Sequence, residues 1–76
     1  MELAKAAEKV LTDRGTPMHY SEITQIAVSQ GLIDPKAADP APYVAAAMRK
    51  ANRRREQRGQ AVLFVNHGNG VFGLAT

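Results

Sequence analysis

Six basic residues crowd one short stretch of this chain: Arg49, Lys50, Arg53, Arg54, Arg55 and Arg58. Groups of this kind at this density do one kind of chemistry well. They neutralise and grip phosphates, and arginine can also hold a flat hydrogen-bonding edge with two parallel N–H donors. Within residues 40–58 only Glu56 opposes them, a surplus of five positive charges. The rest of the chain carries four basic and six acidic residues, and the two parts make up the net charge of +3. A mildly acidic body with one basic segment presents a directional electrostatic surface, suited to a polyanion. The helix dipole favours cations in a last turn, but six exceed what capping needs.

Other chemistries find little material. His19 and His67 stand far apart in the chain, with no carboxylate pattern beside them, so the usual spacing of metal ligands is absent. There is no nucleophile elbow, no paired-carboxylate signature and no phosphate-cradling glycine loop. Ser21 reads as a helix cap. The expectation is a non-catalytic chain that needs no cofactor and no metal. The absence of cysteine excludes disulfides and thiolate zinc sites, in keeping with a reducing cytoplasm. No apolar run approaches a membrane span, and the start lacks a basic-then-apolar signal. At 76 residues, 45% of them hydrophobic, the chain reads as one globular domain over 1–76 with a modest core. Its abrupt end after a strand-like stretch gives the expectation of a domain cut from a longer protein. No coiled-coil periodicity is present, so a monomer is expected.

The elements that must position the basic residues follow from periodicity and punctuation. Residues 2–13 read as a first helix, with Leu3, Ala6 or Ala7, Val10 and Leu11 at helical spacing, stopped by Gly15 and Pro17. Met18-His19-Tyr20 is a stub of strand. A second helix over 21–30 has Ser21 as its cap, Ile23, Ile26 and Ala27 on one face, and Gly31 at its end. Residues 31–39 connect, and Pro35 disfavours helix just before it. Asp39 caps a third helix over 40–58, with Pro40 or Pro42 at its first position. Val44, Ala47, Met48 and Ala51 form the apolar stripe of that helix. Arg49, Lys50 and Arg53 then fall on its solvent side with Ala45 and Ala46, while Arg55 and Arg58 fall nearer the core side. Residues 61–65 and 71–74 read as two strands around the turn-rich 66–70, with Val62, Phe64, Phe72 and Leu74 facing the helices. The chain is thus mainly α with a small antiparallel β-hairpin. Three helices followed by a hairpin is the layout of a winged helix-turn-helix, with the hairpin as wing and the third helix as recognition helix.

Two runs carry a family resemblance. Gly15-Thr16-Pro17-Met18-His19-Tyr20-Ser21-Glu22-Ile23 followed by Gly31-Leu32-Ile33 resembles the HARE-HTH family. So does the tail, Phe64-Val65, an Asn/Gly turn, then Gly70-Val71-Phe72-Gly73-Leu74. The resemblance covers nearly the whole chain. It implies a winged helix-turn-helix acting as adaptor or DNA reader without catalysis. The family includes the amino-terminal domain of the RNA polymerase delta subunit, Asx-like chromatin proteins and domains fused to restriction endonucleases. One departure stands out. Where the family often has glycine-x-threonine-proline before the third helix, this chain has Ala38-Asp39-Pro40-Ala41-Pro42, with an acid in place of the capping hydroxyl.

The candidate DNA contacts are therefore Arg49 for a base edge, Lys50, Arg53 and Arg54 for phosphates, and Asn66, His67 and Asn69 on the wing. Asn69 is also what turn chemistry alone would place there. His19 is expected to cap or pack locally, and Tyr20 to fill the core with its hydroxyl at the rim. The function expected is a transcription-associated adaptor on double-stranded DNA with low sequence specificity, since the first half of the third helix offers only alanine, proline and Tyr43. Two other readings stay open: a module docking on RNA polymerase or a partner protein, and the DNA-targeting domain of a larger restriction-type enzyme.

Overall fold

A computed structural model describes residues 1–34 and 39–75; of the connection read over 31–39, residues 35–38, Pro35 among them, lie outside that description. The order is α1 (Leu3–Arg14), β1 (Met18–His19), α2 (Tyr20–Ser29), α3 (Ala41–Gln57), β2 (Phe64–Gly68) and β3 (Val71–Leu74). The chain is a helix-turn-helix domain with three helices and a small antiparallel sheet, as its sequence pattern implies.

Punctuation residues end the helices. Gly31 and Gly59 take left-handed dihedrals, φ 71° and 73°. After α2, Gly31 N–H donates to Val28 O and Leu32 N–H to Ala27 O. After α3, Gly59 N–H donates to Glu56 O and Gln60 N–H to Arg55 O. Both are Schellman closures, in which a residue free of Cβ lets the chain turn back over orphan carbonyls.

The start of α2 corrects the assignment of Ser21 as cap. The helix begins at Tyr20, and His19 caps it: Nδ1 accepts from Ser21 N–H at 3.1 Å and lies 2.8 Å from Ser21 Oγ. The sheet is the cause. β1 pairs with β3 through Met18 opposite Phe72 and His19 opposite Val71, and Tyr20 N–H donates to Gly70 O. The strand therefore hands over to the helix at His19, whose extended backbone suits a cap.

The start of α3 moves the cap position one residue on, from Asp39 to Pro40, although Asp39 still supplies a side-chain bond to the first turn. Pro40 already has helical dihedrals (φ −77°, ψ −10°), and Asp39 Oδ1 accepts from Ala41 N–H at 3.0 Å. Pro42 occupies the second helical position rather than the first.

The sheet runs β1-β3-β2, antiparallel throughout, so β3 is central and the stub does join the hairpin. The strand read over 61–65 lies three residues too early at both ends; β2 is Phe64–Gly68. Leu63, just before it, donates its N–H to Asn52 Oδ1 instead. Val62 is accordingly half-buried outside the sheet, Leu74 is half-buried, and Phe64 and Phe72 alone of the four proposed residues are fully in the core. They join Ile23, Met48, Val10 and Val44 as its largest fully buried side chains. Each such side chain removed from water contributes roughly 1.5–3 kcal/mol. α1 packs on both other helices and on β3, closing the core.

Candidate nucleic-acid interface

α3 has a buried side and a free side, set by its sequence. Ala41, Val44, Ala45 and Met48 are buried; Ala47, Ala51, Asn52 and Arg55 are half-buried. The helix turns about 100° per residue, so everything opposite that strip faces water. Pro42, Tyr43, Ala46, Arg49, Lys50, Arg53, Arg54 and Gln57 are exposed. Ala45 corrects the reading that placed it on the solvent side: it is 3% exposed. Its small side chain extends the apolar stripe by one more row, which lets neighbouring elements approach α3 closely. Arg55 is half-buried, consistent with its place on the wheel, whereas Arg58, beyond the last helical residue, is exposed.

The four cations on the free side form two rows, Arg49 with Arg53 and Lys50 with Arg54, each a turn apart. The rows have different neighbours. Lys50 and Arg54 line a groove with Glu2, Leu3, Ala4, Ala47 and Ala51, at the start of α1. Arg54 also borders a second groove with Glu2, Glu8, Arg55 and Arg58. Arg49 and Arg53 border neither groove. Among the described residues the one ion pair within 4.0 Å is Lys9–Asp13, at 3.3 Å. None of the four cations is held by a carboxylate, and none spends its charge within the fold.

The wing is built around the turn Asn69-Gly70. Asn69 has φ 55° and Gly70 has φ 80°, the paired positive values of a type I′ hairpin turn. Asn66 Oδ1 accepts from Gly68 N–H at 2.8 Å. Asn66 and Asn69 thus both serve the turn, although both remain exposed. His67 is not at the tip. The register slips between Asn66, opposite Phe72, and Gly68, opposite Val71, so His67 is the extra residue of a bulge. Its ring lies back against the hairpin: a Cβ built on Gly73 would come within 3.0 Å of His67 Nε2 and 3.1 Å of Pro17 Cγ. His67 shares a groove with Leu11, Thr12, Gly15, Thr16, Pro17 and Leu74, and α3 contributes nothing to that groove. The structure therefore gathers the four cations of α3 on one face, and sets His67 apart from them.

His19 sits under the wing. Besides capping α2 it stacks on Tyr20, ring centroids 4.4 Å apart, and Tyr20 packs half-buried against the core. His19 thus caps and packs locally, as expected of it. Among the described residues no three His, Cys, Asp or Glu side chains gather as a metal site would require, and no helix is long and apolar enough to cross a membrane.

Asn52 is the residue that sequence reasoning missed. Its side chain joins α3 to the hairpin by three hydrogen bonds. Nδ2 donates to Phe64 O at 2.8 Å, and Oδ1 accepts from Leu63 N–H at 3.1 Å and Phe64 N–H at 3.0 Å. These bonds hold the backbone at the start of β2, where Phe64 already stands opposite Leu74. They also fix the wing relative to the basic face. A single asparagine among arginines on a helix carries no local signal of this; its partners lie 11 and 12 residues on.

Residues 1–76 match the model of the HARE-HTH family, whose description names ASXL and the restriction endonuclease HTH domain. Searches of curated proteins and of solved structures returned no significant match.

Proposed function

Since this chain belongs to the HARE-HTH family, a family of DNA-binding helix-turn-helix domains rather than of catalysts, we propose that it binds double-stranded DNA with the free face of α3, the wing lying alongside. The observation that carries this reading is the set of exposed cations, Arg49, Lys50, Arg53 and Arg54, with no carboxylate of the described residues within 4.0 Å of any of them. A cation not committed within the protein is free to replace the counterions of a phosphate chain, and their release is the main source of affinity.

Roles divide by row. Arg49 and Arg53 stand clear of α1 and make the primary contacts, Arg53 to phosphate and Arg49 to phosphate or a guanine edge. Lys50 and Arg54, beside Glu2, make secondary phosphate contacts, partly offset by that carboxylate. On the wing, Asn66 and Asn69 offer their remaining polar atoms to the backbone, and His67 contributes least, because its ring is folded against Gly73 and Pro17. Specificity for sequence is low, since no side chain on the first half of the exposed face can make a bidentate base contact. The adaptor role in transcription, and any dock on RNA polymerase or on a fused enzyme, rests on the same face meeting DNA first.

The test is a titration against random duplex DNA at several salt concentrations, with Arg49→Ala/Arg53→Ala beside the unaltered chain. The logarithm of affinity falls with the logarithm of salt at about 0.9 per phosphate contacted. The double variant should bind more weakly, with its slope reduced by about 1.8 if both arginines contact phosphate and about 0.9 if Arg49 reads a base. Unchanged affinity and slope would refute the face.

A further inference from the structure

The first two turns of α3 meet solvent through Pro42, Tyr43 and Ala46. Tyr43 is 68% exposed and lies outside the core cluster, so the fold makes no use of its ring. In a helix laid into a major groove, the N-terminal residues are those that reach base edges. A helix N-terminus more often meets phosphate there, through its free N–H groups. This one has none to give. Asp39 Oδ1 takes Ala41 N–H, Pro42 has no N–H, and Tyr43 and Val44 N–H both donate to Pro40 O at 3.0 Å. The carboxylate of Asp39 would itself repel a phosphate. What this end presents to a duplex is mostly carbon: the Tyr43 ring, with one hydroxyl at its tip, and the Ala46 methyl three residues on, side by side on one face. The cations Arg49, Lys50 and Arg53 follow within two turns and bring that surface to a polyanion.

We infer that Tyr43 and Ala46 form an apolar reader of thymine, packing on the C5-methyl groups that thymine projects into the major groove. The inference rests on the DNA-binding reading above. It assigns a specificity-determining role to the ring of Tyr43 and the methyl of Ala46, acting by apolar contact rather than by hydrogen bonding, and it gives the chain a preference for thymine-bearing duplex. Ala46 lets the helix backbone approach, and Tyr43 supplies the area.

The experiment compares two duplexes of one A·T-rich sequence, one with thymine and one with uracil throughout, titrated by fluorescence anisotropy at fixed low salt. Uracil keeps every hydrogen-bonding group of thymine and lacks only the methyl. The thymine duplex should bind about fourfold more tightly per methyl packed, the ratio expected for burying one such carbon. Tyr43→Phe should keep the ratio, and Tyr43→Ala should bring it close to one while leaving the salt slope unchanged. Tyr43 is exposed, so neither variant threatens the fold. Equal binding of the two duplexes by the unaltered chain, or a ratio kept by Tyr43→Ala, would overturn the inference and leave the DNA-binding reading standing. No binding to either duplex would remove both together.

Discussion

At the scale of single residues, Asn52 and Asp39 matter most, and neither carries the charge that dominates the chain. Asn52 satisfies three backbone groups of the segment entering β2. Removing its side chain leaves those groups to whatever water can reach them, at a cost of about 2 kcal/mol. Asn52→Ala should lower the urea midpoint accordingly, at unchanged m-value. Amide signals of residues 62–75 should move more than those of α1. Asp39 has two effects with opposite signs. Its side chain bonds the first turn of α3, but it places a negative charge where a phosphate would come near. Asp39→Asn keeps an oxygen that can accept from Ala41 N–H and removes the charge. Stability should fall by only about 0.3–1 kcal/mol, the size of a dipole-end charge effect, while affinity for duplex at low salt should rise roughly two- to threefold as a repulsion of similar size is removed. Unchanged affinity would mean that this end of α3 points away from the DNA.

At the scale of elements, the wing and the stub β1 stand as one unit with the start of α2. Gly70 shows how tightly. A Cβ there would come within 2.6 Å of His19 Nε2 and 2.9 Å of Tyr20 Cε2, and its φ is 80°. His19 cannot swing aside without giving up the cap of α2. Gly15 has a similar φ of 72° and open space around it. Gly70→Ala should therefore cost roughly 2–3 kcal/mol and Gly15→Ala about 1 kcal/mol, both read by chemical denaturation. Equal costs would show that the wing is free to lift from α2. The hairpin itself was legible in the sequence, but its register was not. The dipeptides Gly68-Asn69 and Asn69-Gly70 are both fit for a tight turn. The choice between them falls to the pairing of His19 with Val71, a contact made across the fold.

At the scale of the whole molecule, charge and hydrophobicity are sorted onto different surfaces. The basic face belongs to α3; Glu2, at the start of α1, stands beside Lys50 and Arg54, and Glu8 of α1 beside Arg54. A duplex bound to α3 should perturb amide signals in residues 42–58 first and those around 66–70 next, with the far side of α1 unaffected. Near-physiological salt should erase most of the effect. Silence at low salt as well would turn attention to an acidic protein surface as the partner of the same face.

The sequence by itself determined the helix count, the apolar stripes, the glycine stops, the basic segment and the likeness to a winged helix. All of these are set by residues within a few positions of one another, where periodicity and φ preference act directly. Only the tertiary structure decided that His19 and not Ser21 caps α2, that Ala45 is buried, that His67 folds back from the wing tip, and that Asn52 ties α3 to the hairpin. Each of these depends on a partner brought close by folding. A side chain's hydrogen bonds and burial belong to the assembled surface it meets, and no local pattern of residue types encodes that surface.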